Sequence, residues 1–93
     1  MHIDKFTFGK FTRLFAPVGL ELAKLHQFGS IKYRGKDVHL SPPEAYLEAA
    51  YRHLLQFEHI GESDFDAESG AHHLTAAIWN LMAARLCQIW QKH

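Results

Sequence analysis

Ninety-three residues make one domain, because so short a chain cannot build two independent cores. Ten basic residues balance ten acidic ones, so the chain lacks the basic footprint that binding to a DNA or RNA polymer requires. Hydrophobic residues make up 47% of it, more than a body this small hides on folding, and the surplus predicts a homo-oligomer, dimer or tetramer.

Residues 1–15, MHIDKFTFGKFTRLF, place Phe at 6, 8, 11 and 15. The first two alternate as in a strand and the last three have helical spacing, so the segment reads as an aromatic arm laid over the body or a neighbour. Pro17 suits a first helical turn, and Leu20, Ala23, Leu25, Phe28 and Ile31 continue an approximate helical repeat to about residue 34. Residues 34–41, RGKDVHLS, form a connection, and Lys32, Arg34 and Lys36 are local cations able to hold a small phosphate group. Ser41-Pro42-Pro43-Glu44 has the form of a capping box, serine as N-cap and glutamate at the third helical position. The helix it opens, about 42–58, turns Tyr46, Leu47, Ala50, Leu54 and Phe57 towards a core. Residues 59–70, HIGESDFDAESG, are a polar acidic loop in which Asp66 or Ser69 caps the next helix. That last helix, about 67–91, is apolar over most of its circumference, which marks it as central or as part of a subunit interface. The expected fold is all-α, a single domain over 1–93 with three main helices, about 17–34, 42–58 and 67–91, behind the N-terminal arm.

No apolar run of 18 residues and no signal-peptide layout occurs, so neither a membrane partner nor export is expected and the cytoplasm is the expected location. The sole cysteine, Cys87, excludes an intrachain disulfide framework and reads as a small buried hydrophobe.

Asp64-x-Asp66-x-Glu68 suggests a calcium loop, but Ser69 and Thr75 occupy the positions where that loop needs glycine and a bidentate glutamate. Zinc is not expected from His53, His59, His72 and His73: no pair has metalloprotease spacing, and adjacent His72 and His73 diverge by about 100° on a helix. Glu44 and Glu48 stand one turn apart and can share a hard cation, or Glu48 can pair with Arg52 in a surface ladder. His73, Ala77, Asn80 and Ala84 share a face of the last helix, either a polar groove or a satisfied core network.

Several of these residues fall in an ordered set: Phe28-Gly29-Ser30-x-Lys32-Tyr33, Tyr51-Arg52-His53-Leu54-Leu55, Gly61-Glu62, Asp64-x-Asp66-x-Glu68-Ser69-Gly70 and His73-Leu74-x-x-Ala77-x-Trp79-Asn80. In order and spacing the set resembles the phage and bacterial dATP/dGTP diphosphohydrolase N-terminal domain family, which is related to the MazG-like all-α nucleotide pyrophosphohydrolases. The resemblance implies an oligomeric helical protein that binds a purine deoxynucleoside triphosphate with Mg²⁺, or Mn²⁺, and cleaves it to monophosphate and pyrophosphate. It implies Glu44 and Glu48 as metal ligands assisted by Asp66 and Glu68, with Glu48 and His53 serving the chemical step. Lys32, Tyr33, Arg34, Arg52 and His73 become candidate nucleotide contacts, and Trp79 and Asn80 would line the pocket.

The chain departs from the family pattern at several points. Pro17 replaces an expected glutamate, with Glu21 the nearest matching carboxylate. The asparagine-tryptophan pair expected after Tyr33 is missing, Ser63 is an extra loop residue, and Ala77 stands where MazG-like relatives carry a carboxylate. His72 has no counterpart and reads as a surface or first-turn residue. Two other readings are open to the same residues: a non-catalytic phage protein that sequesters a nucleotide or nucleotide-derived defence signal, and a helical protein-interaction module.

Overall fold

The computed structural model describes residues 2–32, 42–59 and 63–91. Four α-helices hold them: α1 Lys5–Leu14, α2 Ala16–Lys32, α3 Pro43–Glu58 and α4 His73–Gln91. Among the described residues there is no strand, only an isolated antiparallel bridge between Phe65 and His72. Among the described residues no helix is long and apolar enough to cross a membrane.

Among the described residues the expected three helices become four because the aromatic arm is itself helical. The Asp4 carboxylate accepts from the backbone N–H of Phe6 (2.7 Å) and Thr7 (3.0 Å), satisfying two of the donors that a helix start leaves unpaired. The 8, 11, 15 spacing therefore prevails over the 6, 8 alternation, and the Phe11 and Phe15 ring centroids lie 5.0 Å apart. Phe15 alone separates α1 from α2. Every phenylalanine of the segment is nevertheless exposed, Phe6 to 72%.

On α2 the half-buried stripe is Val18, Leu22, Leu25 and Phe28, whereas Leu20 and Ile31 of the expected repeat face outward. Leu25 and Phe28 of the expected repeat thus keep their inward place, and Val18 and Leu22 take the places expected of Leu20 and Ala23. α3 opens one residue later than the capping box requires, with Pro42 at the N-cap position and no side-chain cap. Ser41 lies outside the described residues. Ala50 is buried on the inner face of α3, Tyr46, Leu47, His53 and Leu54 are half-buried there, and Phe57 stays exposed.

α4 is the central helix. It packs along α3 and more lightly on α2, and its inner face is built from small residues: Ala76, Ala77, Ala83, Ala84 and Cys87 are all nearly or fully buried. Small side chains allow helices to pack closely, and this face buries little side-chain volume. The expected start of this helix at residue 67 is six residues too early. Gly70 adopts φ +75°, a left-handed conformation that favours glycine, and residues 67–69 form a turn instead. Backbone bonds from Asp66 N to Ala71 O (2.7 Å), Gly70 N to Asp66 O (2.8 Å) and His73 N to Asp64 O (2.8 Å) close that turn into a compact ring.

His72 then becomes the N-cap of α4. Its Nδ1 accepts from the Leu74 N–H at 3.0 Å, and its ring lies 5.4 Å from both Phe57 and Phe65. Thr75, almost fully buried, donates its hydroxyl to Glu21 Oε1 at 2.7 Å and ties α2 to the first turn of α4.

Candidate functional site

The residues singled out in the sequence separate into four places. The first is the outer face of α3. Helical periodicity turns Glu44, Glu48, Arg52 and Tyr51 away from α4, and all four are exposed. An open groove of about 380 Å³ runs here, lined by Glu48, Tyr51, Arg52, Leu55, Gln56 and His59. Glu48 and Arg52 make no ion pair with each other, so the surface ladder is not formed and both charges face the groove. Gln56 Oε1 is a buried acceptor with no hydrogen-bond partner, a condition that native structures rarely leave unanswered. The sequence alone does not single out Tyr51, Gln56 and His59 for this groove, although Tyr51 and Gln56 lie three or four residues from Glu48 and Arg52 on the same helix face and His59 follows directly after the helix.

The second place is inside. His53 of α3 faces His73 of α4, with the two Nδ1 atoms 3.0 Å apart, and the carboxylate of Asp66 reaches the same point from the acidic turn. Ser69 holds that carboxylate through its backbone N–H and its hydroxyl, each 2.9 Å from Asp66 Oδ2. Burial opposes the charge on Asp66, but the two Ser69 hydrogen bonds and the nearby imidazoles outweigh it and hold the carboxyl below its ordinary range. Burial lowers the pKa of His53; Asp66 acts against that shift, and His73 and Arg52 reinforce it.

Both shifts link folding to pH. The unfolded chain takes up a proton on His53 at a higher pH than the folded one, so stability falls as pH drops through 6.5. Asp66 contributes stability that is present above the ordinary value of 3.8 and lost below it as its folded-state pKa is crossed. Thermal melts in EDTA are therefore expected to show a falling Tm between about pH 7 and 5, with a flatter profile in His53→Gln. Equal slopes for the two proteins would contradict this origin.

The third place is the end of α2, where Lys32 forms an ion pair with Glu68 of the acidic turn. The pair is solvent-exposed and contributes little stability, on the order of 0–1 kcal/mol. It does place a candidate phosphate contact against a candidate metal ligand. Tyr33 and Arg34 lie outside the described residues.

The fourth place is the half-buried seam where α4 meets α2 and α3. Trp79 sits between His26 of α2 and Tyr46 of α3, at centroid distances of 6.1 and 6.0 Å, and Asn80 Nδ2 donates to Ala76 O one turn back at 2.8 Å. Of the candidate carboxylates, Glu44 and Glu48 share the outer face, Asp66 lies inside and Glu68 pairs with Lys32. Among the described residues the acidic, imidazole and thiol groups that come together in threes, close enough to share one ion, are His53, Asp66 and His73.

Mg²⁺ keeps several waters and takes one or two protein carboxylates together with substrate phosphates. The outer-face pair Glu44 and Glu48 is a donor set of that kind. No curated protein and no solved structure matches the chain. The family model described as dATP/dGTP diphosphohydrolase, N-terminal, matches residues 4–92. That match covers essentially the whole chain, which belongs to the dATP/dGTP diphosphohydrolase N-terminal family.

Proposed function

We propose that the outer face of α3 binds a purine deoxynucleoside triphosphate with Mg²⁺ and that the protein cleaves it to the monophosphate and pyrophosphate. The observation that carries this reading is the unneutralised pair on the open groove, Glu48 beside Arg52. A triphosphate needs both signs close together: a carboxylate to hold the cation, and a guanidinium whose fork matches phosphate oxygens. Glu44, one turn before Glu48, supplies the second carboxylate. Bound Mg²⁺ would polarise the phosphate and favour attack by water. Tyr51, exposed beside the groove, offers a ring face for a base. The family membership supports the same substrate class.

Assembly belongs to this proposal as well. Leu74, Ile78, Leu81, Met82 and Ile89 form an exposed apolar row along α4, and α1 exposes Phe6, Phe8 and Phe11. Such surface on so small a body favours a second copy, as a dimer or tetramer. A monomer mass by light scattering at working concentration would sink that part.

One observation favours a non-catalytic variant of the reading. α4, HLTAAIWNLMAARLCQIWQ, carries no acidic residue, and Ala77 is buried where relatives place a carboxylate. All the outer-face carboxylates then come from α3 alone, a set sufficient to hold a Mg²⁺-nucleotide but sparse for turnover. A sequestering protein would have this site.

The deciding experiment incubates the full chain with dATP, dGTP and cyclic nucleotides, with and without Mg²⁺, and identifies both products and bound ligand. Pyrophosphate release establishes the enzyme, and retention of intact nucleotide establishes sequestration. Neither binding nor release across the panel removes both readings and leaves a helical interaction module.

A further inference from the structure

We propose that His53, Asp66 and His73 form a binding site for one divalent transition-metal ion of the zinc class, distinct from the carboxylate face on the outside of α3. This site is independent of the nucleotide reading. It rests on convergence: two imidazole nitrogens and one carboxylate oxygen, from α3, the acidic turn and α4, all lie within 4.8 Å of one another.

The spacing suits the ion. Two nitrogens bound at 2.0–2.1 Å with an angle between 90° and tetrahedral stand roughly 2.9–3.4 Å apart. The His53 and His73 Nδ1 atoms are 3.0 Å apart. Imidazole with carboxylate is a donor set for Zn²⁺, Co²⁺ or Ni²⁺, whereas Mg²⁺ prefers oxygen alone, so the two cation sites differ in chemistry as well as in place.

The surroundings are those of a built site. His73 is 4% exposed, and His53 and Asp66 are half-buried, so the donors are shielded rather than scattered over a surface. Ser69 fixes the Asp66 carboxylate with two hydrogen bonds, the outer support that metal-binding carboxylates need. His72 is not one of the grouped donors, and its Nδ1 accepts from Leu74 instead. Three protein ligands leave at least one position for water or an exogenous ligand. The ion would also clamp the C-terminal half of α3 and the acidic turn onto the first turn of α4, so binding should stabilise the fold.

Cobalt(II) supplies the test because its visible bands report coordination. Full-length protein is stripped with EDTA, freed of chelator and titrated with Co²⁺. One equivalent per chain should give saturable visible bands that Zn²⁺ abolishes and excess Mg²⁺ does not. Asp66→Asn and His53→Gln should each weaken Co²⁺ binding at least tenfold, and Ser69→Ala, a positioning change, by roughly 10-fold or more. His2→Ala, at an exposed histidine near the start of the chain, should leave the titration unchanged. Circular dichroism checks that each variant folds. The unmodified chain provides a second reading that needs no variant: ¹⁵N NMR of its imidazoles should show the His53 and His73 signals shifting together as Zn²⁺ is added. An imidazole pair that merely shares a proton has the same spacing in the absence of metal. Absence of a saturable Co²⁺ spectrum, or one untouched by both Asp66→Asn and His53→Gln, overturns the proposal, as does Zn²⁺ that shifts other histidines alone.

Discussion

Glu48→Ala is expected to reduce pyrophosphate release from a purine deoxynucleoside triphosphate by about 100-fold or more, the equivalent of roughly 3 kcal/mol of transition-state stabilisation. Charge and position are the reasons. Glu48 is exposed on the outer face of α3, lines the groove beside Arg52 and makes no ion pair there. Removing it takes away a cation ligand without opening the core, so the melting temperature should hardly move. The same change leaves the Arg52 guanidinium unopposed. Metal-free binding of the nucleotide should then persist or tighten slightly while Mg²⁺-dependent cleavage disappears. That divergence separates a metal ligand from a residue that merely supports the fold. Arg52→Ala should do the reverse, weakening binding with a smaller effect on kcat. Unchanged turnover in Glu48→Ala would move the metal site off this face.

Trp79→Ala should produce the largest loss of stability, about 3 kcal/mol, or a fall in Tm on the order of 12–24 °C for a chain of this size. Family resemblance makes Trp79 a candidate for the nucleotide pocket, but its surroundings argue for packing. The half-buried indole lies between His26 and Tyr46 and joins α2 to α3 through α4, whose buried side chains are mostly alanines. Where the buried side chains are mostly alanines, truncating a half-buried indole removes more packing surface than any of them offers. Trp79→Phe should recover much of the stability and leave nucleotide affinity unchanged. Denaturant titration distinguishes the two substitutions from a change in compactness, since the midpoint should shift with little change in slope. Weakened nucleotide affinity in a folded Trp79→Phe would return the indole to the binding site.

The parts of the molecule that can be read from the sequence are those whose signals are local. Helix type and the position of α3 follow from periodicity and from Pro42-Pro43, and the burial of Cys87 follows from its chemistry. The helical state of α1 rests on the Asp4 cap, which phenylalanine alternation obscures. Propensity places the start of α4 too early because Ala67 and Glu68 are good helix formers, whereas the left-handed backbone of Gly70 and the hydrogen-bonded turn around Asp66 stop the helix from extending back through them. Site residues divide in the same way. The Glu44, Glu48, Arg52 line lies on one helix and is visible as i, i+4, i+8. The approach of His53 to His73 is set by how α3 and α4 pack, and nothing in a spacing of twenty residues encodes that register. Histidine spacing within one helix therefore has no bearing on whether an interhelical pair can hold zinc.

Cys87 has an experimental use that reaches beyond packing. It is the sole cysteine and is 0% exposed on the inner face of α4. A thiol reagent can reach it only when α4 separates from its neighbours. When reclosing is faster than labelling, the modification rate is the intrinsic thiol rate multiplied by the opening equilibrium. The native chain thus carries its own clock for the opening of its central helix, readable by mass spectrometry without any engineered probe.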